Sequence, residues 1–231
     1  MNSKGDEKVF DLPELREKIG IFSGRDEAGQ VLAKMLAEWK NQKAIVLAIP
    51  AGGVPVAKEI SSILGLPLDL AIVKKITPPF NTEFGYGAIA FDGTRLLNEN
   101  YLEGMGLSQK VIDEGTRIAR KKVSQRMEKF RGHHPFPNLK DQTVFLVDDG
   151  LATGITLLTA IRAIRNLGAK KIIVAVPTAH QESIQRILSE VDAVICPNIR
   201  SGFRFAVADA YENWYDISDE ELMGLLGNTF E

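Results

Sequence analysis

The sequence predicts an α/β fold in which a parallel sheet is covered by helices. Short β-branched runs alternate with helical patterns along most of the chain, the arrangement that crossover connections between parallel strands require. At least one of these runs is apolar at every position rather than at alternate ones, as expected for a strand buried on both faces. Composition agrees, with 231 residues of which 45% are hydrophobic and 25% charged, and a formal net charge of -2. That is ordinary globular usage in a chain long enough for a sizeable core. Nothing in its charge balance calls for a nucleic-acid or membrane partner.

The first run, over 44–49, is Ala44-Ile45-Val46-Leu47-Ala48-Ile49. The tight turn Pro50-Ala51-Gly52-Gly53 follows it, then a helix with Pro55 in its first turn and Gly65 just past its end. Residues 68–73 read as the second strand, and 74–87 as a long loop rich in Pro and Gly. Asp92-Gly93 predicts a hairpin between 87–91 and 94–97. A long helix is expected over 108–130, where Val111, Gly115, Ile118, Ala119, Val123, Met127 and Phe130 recur at three- and four-residue steps. Its other side carries Arg117, Arg120, Lys121, Lys122, Arg126 and Lys129, which read as a solvated face rather than an anion site. A strand at 143–147, a helix over 155–167 closed by Gly168, a strand at 172–176 and a last main-sheet strand at 191–195 complete the pattern. No repeat, low-complexity segment or break in composition marks a second full domain. A core is therefore assigned to 1–196. The tail, 197–231, is richer in aromatics (Phe203, Phe205, Tyr211, Trp214 and Tyr215) and reads as a small hood or lid.

Cys196 is the only cysteine, which excludes an intramolecular disulfide and zinc sites built on cysteine clusters. Residues 1–10 are polar and lack the apolar core of a signal peptide, and no apolar run approaches the roughly 18 residues that span a bilayer. A cytoplasmic protein is the expectation.

The strongest chemical signal lies at 144–156. A buried strand delivers the acidic pair Asp148-Asp149 at its carboxyl end, and a short loop rich in Gly and Thr feeds straight into a helix. Open α/β sheets bind ligands at that end of their strands. The backbone N–H groups of Thr153, Gly154, Ile155 and Thr156 lie at a helix N-terminus, where unpaired donors and the helix dipole attract a phosphate. Gly154 permits close backbone approach, and the hydroxyls of Thr153 and Thr156 add donors. Carboxylates beside a phosphate cradle make sense if they accept hydrogen bonds from sugar hydroxyls or face a bound Mg²⁺. On local physics alone, an Asp-Asp-Gly turn before an ordinary helix cap stays open as the alternative.

The run Val144-Phe145-Leu146-Val147-Asp148-Asp149-Gly150-Leu151-Ala152-Thr153-Gly154-Ile155-Thr156 resembles the phosphoribosyl pyrophosphate (PRPP) binding motif of type I phosphoribosyltransferases. The likeness extends from Gly24-Arg25-Asp26-Glu27-Ala28-Gly29 to the aromatic tail, and is greatest to a subgroup whose acceptor is unassigned. It implies a doubly wound parallel sheet with a small C-terminal hood, and transfer of the 5-phosphoribosyl group to a nitrogenous base or similar acceptor with release of pyrophosphate. It implies that Asp148 and Asp149 hold the ribose hydroxyls, and that Ala152, Thr153, Gly154, Ile155 and Thr156 cradle the 5′-phosphate. The loop with Ala51, Gly52 and Gly53 would meet pyrophosphate through backbone amides. Lys75, with Lys74 second, would meet the leaving pyrophosphate from a loop that closes over the reacting centre, where Glu83 is a weaker candidate. Mg²⁺ would bridge pyrophosphate and ribose hydroxyls, touching Asp148 and Asp149 indirectly, and a homodimer would be usual.

Two positions depart from the family's pattern. Ala51 stands where relatives often carry arginine, which removes a cation from the pyrophosphate side. Ala152 stands where transferases of 6-oxopurines carry aspartate, so the chain is not a close copy of those enzymes. Two alternatives follow: a non-catalytic PRPP- or nucleotide-binding regulator with the same fold, and another ribose-phosphate enzyme such as a hydrolase. Other signals carry less. Gly85-Tyr86-Gly87-Ala88-Ile89-Ala90 sits in the wrong context for a dinucleotide fingerprint. His133-His134 reads as a surface turn and Cys196 as an apolar filler, while His180 at a strand end is a minor candidate. Phe203, Phe205 or Trp214 could stack on a planar base or simply pack.

Overall fold

The computed structural model describes residues 8–40, 42–78, 85–227 and 229–230. Six parallel strands form the main sheet, in the order β1 (Val9–Phe10), β10 (Ala193–Ile195), β8 (Lys171–Ala175), β7 (Thr143–Val147), β2 (Ala44–Ala48) and β3 (Leu68–Leu70). Successive side chains on a strand point to opposite faces, so the central strands feed two cores. On β2, Ala44, Val46 and Ala48 face the layer of α1 (Arg25–Met35), α2 (Gly53–Leu64) and α7 (Asp219–Leu226). Ile45 and Leu47 face α5 (Ile155–Asn166) and α6 (Gln181–Ile187). β7 divides the same way, with Phe145 and Val147 on the first side and Val144 and Leu146 on the second. Burial on both faces accounts for the uninterrupted apolar runs, and the doubly wound sheet is as expected.

The chain departs from expectation after β3. Residues 68–73 do not form one strand. Ala71 donates its N–H to Ala48 O (2.8 Å), and the chain then leaves the main sheet. β4 (Val73–Ile76) pairs antiparallel with β5 (Gly87–Ala90), which pairs with β6 (Arg95–Leu97). This second sheet packs between α4 (Gln109–Arg131) and α5. Leu70, Ala71, Ile72 and Val73 are all buried, so hydrophobicity runs unbroken across the switch and carries no sign of it. Lys74 and Lys75 therefore sit in a strand, not in a loop. The hairpin over Asp92-Gly93 forms as read, with Gly93 at φ 90 and Thr94 N donating to Asp92 Oδ1 (2.8 Å).

α3 (Glu99–Met105) leads into α4, whose bounds are close to those expected. Its buried stripe, however, runs through Ile112, Thr116, Ala119, Val123 and Phe130, and Ile118 is exposed. The apolar residues admit more than one helical phase, and packing on β4 and β5 selects this one. β9 (Thr178–His180) and β11 (Asn198–Arg200) make a small parallel sheet that the sequence reading did not contain, as it did not contain the edge strand β1. The tail is tied to the segment before α1: Glu17 N donates to Ile199 O (3.1 Å), Gly20 N to Asp209 O (2.7 Å) and Phe22 N to Ala210 O (3.0 Å). No described helix is long and apolar enough to cross a membrane.

Candidate functional site

A cavity of about 470 Å³ opens at the carboxyl ends of β2 and β7, between the turn after β2 and the N-terminus of α5. The cradle comes first. β7 ends at Val147 and runs straight into Asp148 and Asp149, and the following loop is fixed by β9 and α6. Leu151 N donates to Thr178 O (2.9 Å) and His180 N to Leu151 O (3.0 Å). The Ser183 hydroxyl donates to Ala152 O, and Arg186 to Thr153 O (3.2 Å). Gly154, at φ 84, turns the chain into α5 in a left-handed conformation that disfavours a side chain. Ala152, Thr153, Gly154 and Thr156 line the cavity, where the first-turn N–H groups and the helix dipole favour an anion. Ile155 packs its side chain into the second core, leaving only its backbone for a ligand.

The acidic pair is half-buried behind the turn after β2. Asp149 is held by Arg25, the first residue of α1, with Nε and Nη2 at 3.0 and 2.9 Å from Oδ2. Arg25 also donates to Tyr215 O (3.0 Å) and lies 4.0 Å beneath the centre of the Trp214 ring. Tyr211 donates its hydroxyl to Asp149 O (2.6 Å), and burial raises its phenol pKa. Burial, then the charge of Asp149, pushes the Asp148 carboxyl well above its usual range. Burial raises Asp149 too, against the restraint of Arg25. The pair is thus short of positive charge and of hydrogen-bond donors. Sugar hydroxyls supply donors, and a divalent cation supplies charge to hard carboxylate oxygens. That donor set fits Mg²⁺ sharing its sphere with oxygens of a ligand. Among the described residues no group of three or more His, Cys, Asp or Glu could hold a metal alone.

Glycine at 52 is a steric necessity, because a Cβ there would overlap the Asp149 carboxylate. The Pro50–Ala51 peptide is cis. Ala51 and Gly52 line the cavity, whereas Gly53 does not reach it. The Gly53 N–H is taken by Ile49 O (3.1 Å), and a Cβ on it would lie 2.8 Å from Val147 O. Lys74, Lys75 and Thr77 also line the cavity. Lys74 is half-buried, and its pKa is pushed down to about 8 by burial and by the nearby charges of Arg126 and Lys122. Glu83 lies outside the described residues.

A second cavity, also about 470 Å³, backs onto the first and shares Pro50, Ala51, Gly52, Lys74, Asp149 and Val207 with it. It adds Arg25, Arg126, Trp214, Asp216 and Ile217. No sequence pattern assigns Arg25 a role; of the cationic face of α4, Lys122 is exposed as expected but lines the first cavity, and Arg126 is half-buried in the second. Arg25 carried one usable signal, a cation at the first position of a helix, where the dipole disfavours it. Lys122 and Arg126 carried none, since their orientation depends on the sheet switch at Ala71. Other candidates fall away from the site. His180 packs edge-on against Phe205 (5.6 Å between centroids), and Phe203 is exposed. Cys196 is buried, its thiol pKa raised by burial, and donates to Asn198 O at 3.3 Å.

The phosphoribosyl transferase domain profile matches residues 25–210. A curated protein of Mycobacterium tuberculosis H37Rv, provisionally named a phosphoribosyl transferase, is 36% identical over 206 residues, 89% of this chain and 46% of its own length. The chain thus spans about half of that relative. The amidophosphoribosyltransferase of Escherichia coli K12 is 25% identical over 161 residues, 69% of this chain and 25% of that one. Among solved structures, TT1426 of Thermus thermophilus superposes with a TM-score of 0.73 at 32% identity, covering 89% of this chain and 97% of that one.

Proposed function

We propose that this chain, which belongs to the type I phosphoribosyltransferase family, transfers the 5-phosphoribosyl group of PRPP to a nitrogenous acceptor and releases pyrophosphate. One observation carries the reading: a half-buried acidic pair, a helix N-terminus and two lysines line a single cavity. The ribose hydroxyls, 5′-phosphate and pyrophosphate of PRPP each find a matching group among them.

In the reaction the acceptor nitrogen bonds to C1 of the ribose as the C1–pyrophosphate bond breaks, and the electron pair leaves with pyrophosphate. Thr153, Gly154 and Thr156 anchor the 5′-phosphate. Asp148 and Asp149 accept from the ribose hydroxyls and fix the ring. Lys74 and Lys75 stabilise charge gathering on the leaving group, which acts best where the cavity excludes water. Positioning and charge stabilisation carry the step, with little proton transfer asked of the protein. Mg²⁺ bound with PRPP would neutralise part of the pyrophosphate charge, with Asp148 and Asp149 as its protein neighbours.

Pyrophosphate release from PRPP, measured against a panel of purine and pyrimidine bases with a no-base control, tests the reading. Release that depends on one base is the expected result. Binding without release under any base would sink it in favour of a PRPP-responsive regulator, the reading that the uncharged Ala51 favours. Calorimetry on Asp148→Asn with Asp149→Asn tests the site itself, since PRPP affinity there should be largely lost.

A further inference from the structure

α4 brings two of its cations to the site, Lys122 exposed at its rim and Arg126 half-buried. Lys122 and Arg126 are one turn apart, so they share a face, and they line the first and second cavities respectively. Lys74 lines both, which places three cations around the partition formed by Pro50, Ala51 and Gly52. Asp219 is shared: its Oδ1 meets Arg126 Nη1 at 3.4 Å while its Oδ2 meets Lys129 Nζ at 2.6 Å, so one carboxylate serves two cations. Arg126 Nε is buried with no hydrogen-bond partner among the described residues. Asp216 lines the same cavity as Arg126, and Asp149 is engaged by Arg25. The Lys74 pKa falls partly because Arg126 and Lys122 repel its charge. Lys74 and Arg126 are half-buried, and like charges held near one another in such a place are unfavourable until an anion joins them.

We propose that Lys122 and Arg126, together with Lys74, bind the pyrophosphate end of the ligand and supply from α4 the positive charge that Ala51 does not. The inference rests on the PRPP reading for the direction of the ligand. It does not rest on it for the existence of an anion site. Lys122 presents a mobile point charge at the mouth of the cavity, whereas Arg126 presents a planar fork suited to two phosphate oxygens. A diphosphate fits this spread of cations better than a single carboxylate does.

Calorimetry with inorganic pyrophosphate and with ribose 5-phosphate, each with Mg²⁺, separates the two claims. Lys122→Ala should weaken pyrophosphate about tenfold and Arg126→Ala about 10–100-fold, as expected for lost charge-assisted hydrogen bonds. Ribose 5-phosphate should bind each variant as it binds the wild type, and Arg126→Lys should recover only part of the pyrophosphate affinity lost in Arg126→Ala, since a point charge replaces a planar fork. Unchanged pyrophosphate binding in both alanine variants overturns the inference and leaves the PRPP reading standing. So does equal weakening of both ligands, which would mark a structural role for the two cations. Pyrophosphate binding that depends on the two cations, with no ribose 5-phosphate binding at all, would uphold the anion site and remove the PRPP reading.

Discussion

Replacing Gly52 by alanine isolates the geometry of the acidic pair. Gly52 has φ -61 and ψ -32, which alanine adopts freely, so the backbone does not oppose the change. The side chain does. A Cβ at this position overlaps Oδ2 and Cγ of Asp149 and lies 3.1 Å from Oδ1. The carboxylate must retreat by about 1–2 Å to restore ordinary contacts. It cannot do so and keep Arg25 at 2.9 and 3.0 Å, because Trp214 and Tyr215 O fix that guanidinium from the other side. Deleting one partner of a buried pair costs about 3–5 kcal/mol. Here both partners survive, and overpacking at about 1–3 kcal/mol is the better measure. In a chain of this size that lowers Tm by roughly 2–12 °C. Ribose 5-phosphate affinity should fall about 100-fold, the worth of two hydrogen bonds to a displaced carboxylate. Scanning calorimetry and titration calorimetry measure both effects. Gly104→Ala, where a Cβ meets nothing within 4 Å, is the control and should be neutral or slightly stabilising. Wild-type Tm and wild-type ribose 5-phosphate affinity in Gly52→Ala would refute the reasoning.

Three further outcomes concern Lys74 and Trp214. With its pKa near 8, Lys74 loses its proton as pH rises from 7 to 9, so pyrophosphate affinity should fall over that range and Lys74→Arg should flatten the dependence. Identical pH profiles for the two proteins would remove Lys74 from the anion site. Stability moves the other way, since a base whose folded pKa lies below its unfolded value penalises folding least at high pH, so that penalty shrinks as pH rises through 8 toward 10.5. Trp214→Ala uncovers Arg25 and should cost about 1–2 kcal/mol, or 5–30-fold in ribose 5-phosphate affinity, with Trp214→Phe recovering part. Equal affinities in all three proteins would show that the stacked ring does not steady Arg25.

The parts of the fold legible in the sequence were those governed by local rules. Strands buried on both faces announced themselves as unbroken apolar runs, and the Asp92-Gly93 turn and Gly168 marked their own positions. The cradle was legible for the same reason: a strand, an acidic pair, a glycine and a helix start are contiguous from Val144 to Thr156. What escaped depended on long-range packing. The switch of sheet at Ala71 falls inside an apolar run, so Lys74 and Lys75 read as loop residues. The phase of α4 depends on that second sheet, which hid the approach of Lys122 and Arg126 to the site. Arg25 meets Asp149 and Trp214 stacks on Arg25, and no local pattern joins positions so far apart in the chain.

The cradle belongs to the six-stranded sheet, while Lys74 and Lys75 belong to the three-stranded one, and no ladder hydrogen bond joins the two sheets among the described residues. The short covalent link Ala71-Ile72 and the packing of α5, whose first turn forms the cradle, against β4 and β5 set the span between them. Packed layers of this kind slide by small increments more readily than paired strands do. On the PRPP reading, a molecule held by the cradle and by the two lysines would bridge both sheets, and a ligand that ends at the ribose would leave the smaller sheet without its contact.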